Sequence, residues 1–405
     1  MDIFALVFII GLVSSNIAWS NAEGNPDSFN VLDYGAVGDG NTDDSKAFLV
    51  AWKAACSAET GTPEVVIPEE TTFLVYPIIF TGPCMTDTIN FTISGTIIAP
   101  NSPSVWEKHD ASQWLAFSGV TGLIVDGMGM IDGQGKGWWD QSCKYHPDLE
   151  GCTKLAPTSL KLLSCNESSL SNIRFTNSPQ THVLVRGCNG LKVDNVLIQS
   201  PGNSPNTDGV HIHASRNLVI TNSKIGSGDD CISIGDYTSN IYIAHVECGP
   251  GHGISIGSLG KGGNFVQVEN IEVRNACFKG TTNGARIKTW QVGKGFVRKV
   301  TFENLEFNSV KNPLIIDQNY CNIRGACKEQ STGVQISNVI YKGMVGTSTT
   351  EIAINLNCSR SVPCHGISME SIQLKSDRDG KEVTATCIHA HGQETGVVPG
   401  PCLHD

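Results

Sequence analysis

Leu191-Lys192-Val193, Asn195-Val196-Leu197-Ile198, Leu218-Val219-Ile220 and Asn222-Ser223-Lys224-Ile225, all within residues 191–225, decide how this chain folds. Each is a short run with apolar residues two apart, the pattern of a strand with one buried face. Gly, Asn and Ser turns separate them. The Asn-led unit recurs as Asn172-Ile173-Arg174-Phe175, Asn275-Ala276-Cys277-Phe278, Asn304-Leu305-Glu306-Phe307 and Asn338-Val339-Ile340-Tyr341. His245-Val246-Glu247-Cys248 fills the gap in the series, and successive steps are 23, 27, 23, 30, 29 and 34 residues. Short strands at that period predict an all-β solenoid, a parallel β-helix, whose coils stack roughly 4.8 Å apart around inward Val, Ile and Leu. The L-x-x-L-x-L signature of leucine-rich repeats is absent, and a β-sandwich is the remaining all-β alternative.

A solenoid needs its open end covered. Asp43-Asp44-Ser45 followed by Lys46–Cys56 reads as a capped amphipathic helix and is assigned as a short N-terminal lid. Asp39-Gly40-Asn41-Thr42-Asp43 imitates the start of a calcium loop. It lacks the sixth-position Gly (Asp44 stands there) and the twelfth-position Glu (Val50), so a turn is expected.

The N-terminus carries an apolar run, Ile3–Val13, too short for a comfortable membrane span, and Ser20-Asn21-Ala22 offers a small-residue cleavage site. Residues 1–22 are expected to be a secretory signal, with 23–405 as one catalytic domain. No later run reaches the length of a membrane helix. Fifteen cysteines fit an oxidising compartment. Cys143/Cys152, Cys321/Cys327 and Cys358/Cys364 look like local loop staples, none with the spacing of a zinc site, and the odd total leaves at least one thiol outside intramolecular pairs. Asn90, Asn166 and Asn357 head glycosylation sequons, in keeping with secretion. The formal net charge of −11 argues against a nucleic-acid partner. It also makes an acidic polymer an awkward ligand unless cations gather at the site.

Four polar clusters follow the repeat: Asn206-Thr207-Asp208, Gly228-Asp229-Asp230, Gly251-His252-Gly253 and Arg286-Ile287-Lys288. From Asp208 to Asp229 and Asp230 is 21 and 22 residues, and from Asp230 to His252 another 22. Residues one coil apart are neighbours in a β-helix, so these side chains are expected on one face. Asp229 and Asp230 are adjacent and can share that face only at a bend, which Gly226 and Gly228 permit. Crowded carboxylates cannot all ionise easily: one keeps its proton as a general acid, and the others activate water. Taken singly, each Asp reads as a turn residue. Arg286 and Lys288, two apart, share a strand face and suit a carboxylate ligand. His211 and His213 also share a face, but no third metal ligand is evident, and Gly133-Gln134-Gly135-Lys136-Gly137 lacks the context of a phosphate loop.

At these residues the chain resembles the plant polygalacturonases of glycoside hydrolase family 28. The matching blocks are Ser204–Gly209, Gly228–Cys231, Cys248–Gly257 and Arg286–Lys288, with flanking similarity at Phe29–Ala36 and Ile315–Cys321. The resemblance implies a right-handed parallel β-helix and hydrolysis, with inversion, of the α-1,4 bonds of pectic polygalacturonate. It implies Asp229 as general acid, Asp208 and Asp230 as activators of water, and His252 as their assistant. Arg286 and Lys288 would hold a galacturonate carboxylate, Asn206 and Tyr320 would line the cleft, and Cys231 would pair with Cys248. No cofactor or metal is implied, and a secreted cell-wall monomer is expected. Lys311–Asp317 looks more like endo-acting relatives. Exo action, a pectin or pectate lyase and a non-catalytic wall solenoid are the alternatives.

Overall fold

The computed structural model describes residues 27–321 and 327–405; the expected signal, 1–22, lies outside them. Every strand pairing among the described residues is parallel, in one sheet of 23 strands and another of 11. The larger sheet is two columns that fuse where the long strand Gln335–Ser348 pairs with both Lys294–Glu303 and Glu306–Val310. Three columns wound in sequence make a right-handed parallel β-helix.

The eleven-stranded sheet carries the site. Its register aligns Val183, Val210, Ile232, Ile254, Ala285 and Leu314 in one inward column. Val185, Ile212, Ile234, Ile256, Ile287 and Ile316 form the next, and all twelve are buried. Each Val, Ile and Leu among them contributes about 1.5–3 kcal/mol of burial. A one-residue slip would turn the whole column outward, so the register is tightly set.

The repeating asparagines occupy the corner between the other two columns. Asn172, Asn195, Asn222, Asn275, Asn304 and Asn338 all have φ between 51° and 60°, and His245 stands at the equivalent corner with φ 55°. Asparagine tolerates this left-handed conformation better than other side chains. Its amide also bridges coils: Asn195 Nδ2 donates to Asn172 Oδ1 at 2.7 Å, and Asn304 to Asn275 at 3.3 Å.

The helix Ser45–Cys56 buries Phe48, Ala51, Trp52 and Ala55 over the first coils. Trp52 packs on Phe80 and Phe117 and donates Nε1 to Thr81 O at 3.1 Å. Its cap differs in detail from the expectation. Asp44 makes no capping bond and accepts instead from Val37 N (2.6 Å) and Gly38 N (3.1 Å), while Asp43 Oδ1 takes the Ser45 amide at 3.0 Å. The calcium-like stretch, expected to be a turn, is instead a short irregular strand, Asp39–Asp43, paired with Thr72–Leu74, in which Asp39 accepts from Asn41 N and Thr42 N.

Six disulfides are present: Cys56–Cys84, Cys143–Cys152, Cys231–Cys248, Cys321–Cys327, Cys358–Cys364 and Cys387–Cys402. Cys165, Cys188 and Cys277 are free, the first two buried. No helix among the described residues is long and apolar enough to cross a membrane.

Candidate active site

Cys231-Ile232-Ser233-Ile234 and Ile254-Ser255-Ile256 pair in register, so the two serines point out from the same sheet face, one coil apart. His211 lies before Ser233 in that row and Arg286 after Ser255. The aspartates stand at the entry to these strands and lean over the row. Asp208 Oδ2 accepts from Ser233 Oγ at 2.6 Å, and Asp230 Oδ1 accepts from Ser255 Oγ at 2.8 Å.

Both adjacent acids reach one site because the chain bends just before the strand. Gly228 has to be glycine there: a Cβ would come within 1.9 Å of Ser204 O. Asp229 then turns back on its neighbour, accepting the Asp230 amide through Oδ1 at 3.0 Å. From the next coil, His252 Nδ1 meets the same oxygen at 3.0 Å. Its approach depends on Gly251, at φ 150°, where a Cβ would lie 2.8 Å from Asp229 O. The Cys231–Cys248 bridge ties these two coils covalently.

Asp230 is 2 % exposed and doubly neutralised: Arg286 Nη2 lies 2.9 Å from Oδ1 and Lys288 Nζ 2.8 Å from Oδ2. Arg286 Nε also donates to Ser255 Oγ at 2.9 Å. Lys288 Nζ stands 5.8 Å from the centre of the Tyr320 ring, which meets Trp290 edge-on. Asn206, at φ 56°, exposes its amide with Nδ2 3.5 Å from Asp229 Oδ2. Every catalytic and substrate-binding candidate read from the sequence is thus gathered at one place.

Three residues at the site escaped the sequence reading. Lys144 Nζ reaches Asp229 Oδ2 at 2.8 Å from the Cys143–Cys152 loop. Its one signal was a cation beside a stapled cysteine. Ser233 and Ser255 had a better one, an outward polar position repeated between isoleucines a coil apart.

The acids differ in environment. Burial, then the charges of Asp229 and Asp230, push the Asp208 carboxyl well above its usual range. Burial opposes charge at Asp229 too, but His252 and Lys144 outweigh it and hold that carboxyl below the usual range. Of these two acids, Asp208 is the one whose ionised form its surroundings disfavour. Burial, then His213, lowers His211 to about 4, so it is neutral at ordinary pH. Because the Ser233 hydroxyl donates to Asp208, its oxygen is left to accept from His211 Nδ1 at 2.7 Å. His211 is thus linked to Asp208 through Ser233. Asp229, Asp230 and His252 each bring one donor atom within 4.8 Å of the others. Three cations already balance these carboxylates, so the donor set does not fit a divalent ion.

Grooves extend on both sides. One of about 960 Å³ lies toward the N-terminal coils, lined by Gln134, Trp139, Asn177, Asn203 and Ser204. Another of about 410 Å³ lies toward the C-terminal coils, lined by Gln291, Asn312, Asp317 and Asn319. Clustered carboxylates on the face of a β-helix, open along its axis, define a carbohydrate-cleaving hydrolase. Residues 56–395 match the model of glycosyl hydrolases family 28, and the chain belongs to that family. It is 43 % identical over 376 residues to a probable polygalacturonase of Arabidopsis thaliana, covering 93 % of this chain and 84 % of that one. A polygalacturonase of Malus domestica is 41 % identical, with 97 % and 82 % covered. The fold superposes on the endo-xylogalacturonan hydrolase of Aspergillus tubingensis with a TM-score of 0.78 at 23 % identity, covering 92 % of this chain and all of that one.

Proposed function

We propose that this protein hydrolyses the α-1,4 linkages of polygalacturonate with inversion, acting within the chain. The observation that carries the reading is Asp230, an acid held between Arg286 and Lys288 beside a second acid, Asp229, on an open cleft. Cations at the cleft offset the global acidity and give an anionic sugar something to bind. Asp229 protonates the glycosidic oxygen, Asp208 and Asp230 activate the attacking water, and His252 orients Asp229. Arg286 and Lys288 also hold a galacturonate carboxylate, while Asn206 and Tyr320 line its path. Grooves on both sides of the acids support endo action, since a polymer can cross the site without ending there. The same reading makes the protein a secreted, monomeric cell-wall enzyme, cleaved after residue 22 and carrying glycans on Asn90, Asn166 or Asn357.

Sizing the products from polygalacturonate tests this. A spread of oligomers with new reducing ends, the first of them β-anomers by proton NMR, is expected. Monomer alone would mean exo action, and unsaturated, ultraviolet-absorbing ends would mean a lyase.

A further inference from the structure

The cations of the site fall into two groups. Arg286 and Lys288 belong to the coil after that of His252, on the C-terminal side of Asp229 and Asp230, and both bind Asp230. Lys144 comes from the opposite direction. It lies in the segment between strands Met130–Asp132 and Thr158–Leu163, three coils before the Ile232–Ile234 strand that follows the paired acids. At roughly 4.8 Å per coil, its loop has crossed more than 10 Å along the axis to reach Asp229. The crossing is supported. Cys143 and Cys152 are bonded, and the loop base closes with Cys143 N on Thr153 O (3.0 Å) and Thr153 N on Gln141 O (2.7 Å). The Lys144 side chain is 33 % exposed, and its segment borders the larger groove through Trp139 and Asp140.

This position sits badly with a merely structural ion pair. Asp229 already has the His252 ring, the Asn206 amide and the Asp230 amide around it. Ser227 contacts its backbone, and the charges of Asp208 and Asp230 face it. A lysine added to that set keeps ionised the one carboxyl that the proposed reaction needs protonated. An ammonium at the cleft edge is also the natural partner for a sugar carboxylate arriving along the N-terminal groove.

We infer that Lys144 is a specificity-determining residue: it grips the carboxylate of the galacturonate on the N-terminal side of the scissile bond, and in leaving Asp229 it lets that acid carry the proton. The inference rests on the hydrolase reading above. The step balances through solvent. With Lys144 withdrawn, Asp229 takes up a proton from solvent and gives it to the glycosidic oxygen. Asp208, in its ionised form, takes a proton from the attacking water and returns it to solvent. An anionic substrate therefore switches on its own acid, whereas a methyl-esterified sugar at that position draws Lys144 away less.

Kinetics of wild type, Lys144→Met and Lys144→Arg on polygalacturonate and on half-methyl-esterified pectin test this. For Lys144→Met, KM on polygalacturonate should rise about tenfold, the effect of losing one partly desolvated charge contact. The rise should shrink on the esterified polymer. The alkaline limb of kcat/KM, which reports the acid of the unbound enzyme, should move to higher pH once Asp229 loses its cation. Lys144→Arg should restore most of the affinity. An unchanged KM, an equal rise on both polymers, or an unmoved alkaline limb overturns the inference. If wild type releases no reducing ends, the hydrolase reading itself fails; an active wild type matched by Lys144→Met fails the Lys144 assignment alone.

Discussion

Lys288 Nζ lies 2.8 Å from Asp230 Oδ2, although the two residues are 58 apart in the chain. Asp230 is almost fully enclosed, and this contact and the Arg286 guanidinium balance its charge. Removing one partner of a buried pair leaves the other uncompensated. Lys288→Met should therefore cost roughly 2–3 kcal/mol of stability, somewhat less than a wholly orphaned charge because Arg286 remains. Calorimetry should show a lower Tm together with a fall in activity. An unchanged Tm would mean that Arg286 alone suffices to balance Asp230.

Asp229→Asn keeps the shape of the side chain but cannot pass a proton to a leaving oxygen. A fall in kcat of about 10²–10⁴-fold, with KM little changed, is the expected outcome. A variant with near wild-type kcat would remove Asp229 from the acid's role.

Asp208 gives the opposite pattern in stability. Its carboxyl titrates above its ordinary value of 3.8 in the folded protein because of burial and two neighbouring acids. Between those two values the folded state holds a proton that the unfolded chain has released, so stability falls as pH rises through that window. Asp208→Asn escapes this cost. Its Tm should exceed wild type at neutral pH and converge with it toward pH 4, while activity drops. A Tm gap that does not depend on pH would contradict the assignment.

The Cys231–Cys248 bridge closes a 17-residue separation between the coil of the acids and that of His252. Replacing both with serine should cost about 3 kcal/mol. Activity of the folded fraction should drop further than stability alone explains, because His252 and Asp229 are then aligned only by the sheet register. Thermal melts and activity measured below the transition would separate the two effects.

Periodicity by itself was enough for the coil. Asn172, Asn195 and Asn222 mark left-handed corners, and the alternating residues after each corner settle which side chains face inward, because strand sidedness has a period of two. Both rules are local, so a linear reading captures them. Coil spacing likewise brought Asp208, Asp229, Asp230 and His252 together on paper, since one repeat equals one strand spacing. Tertiary structure decided the rest. Lys144 joins the site across 85 residues through a loop outside the repeat, where spacing carries no information. Which acid is disfavoured as an anion also followed from burial and from which cation faces which oxygen. Asp229 and Asp230 are identical neighbours in the sequence, yet one meets Lys144 and His252 and the other Arg286 and Lys288. Charge energies depend on distance and on desolvation in three dimensions, so spacing could not tell the two acids apart: the family resemblance gave them different roles, and the folded chain gave each its partners.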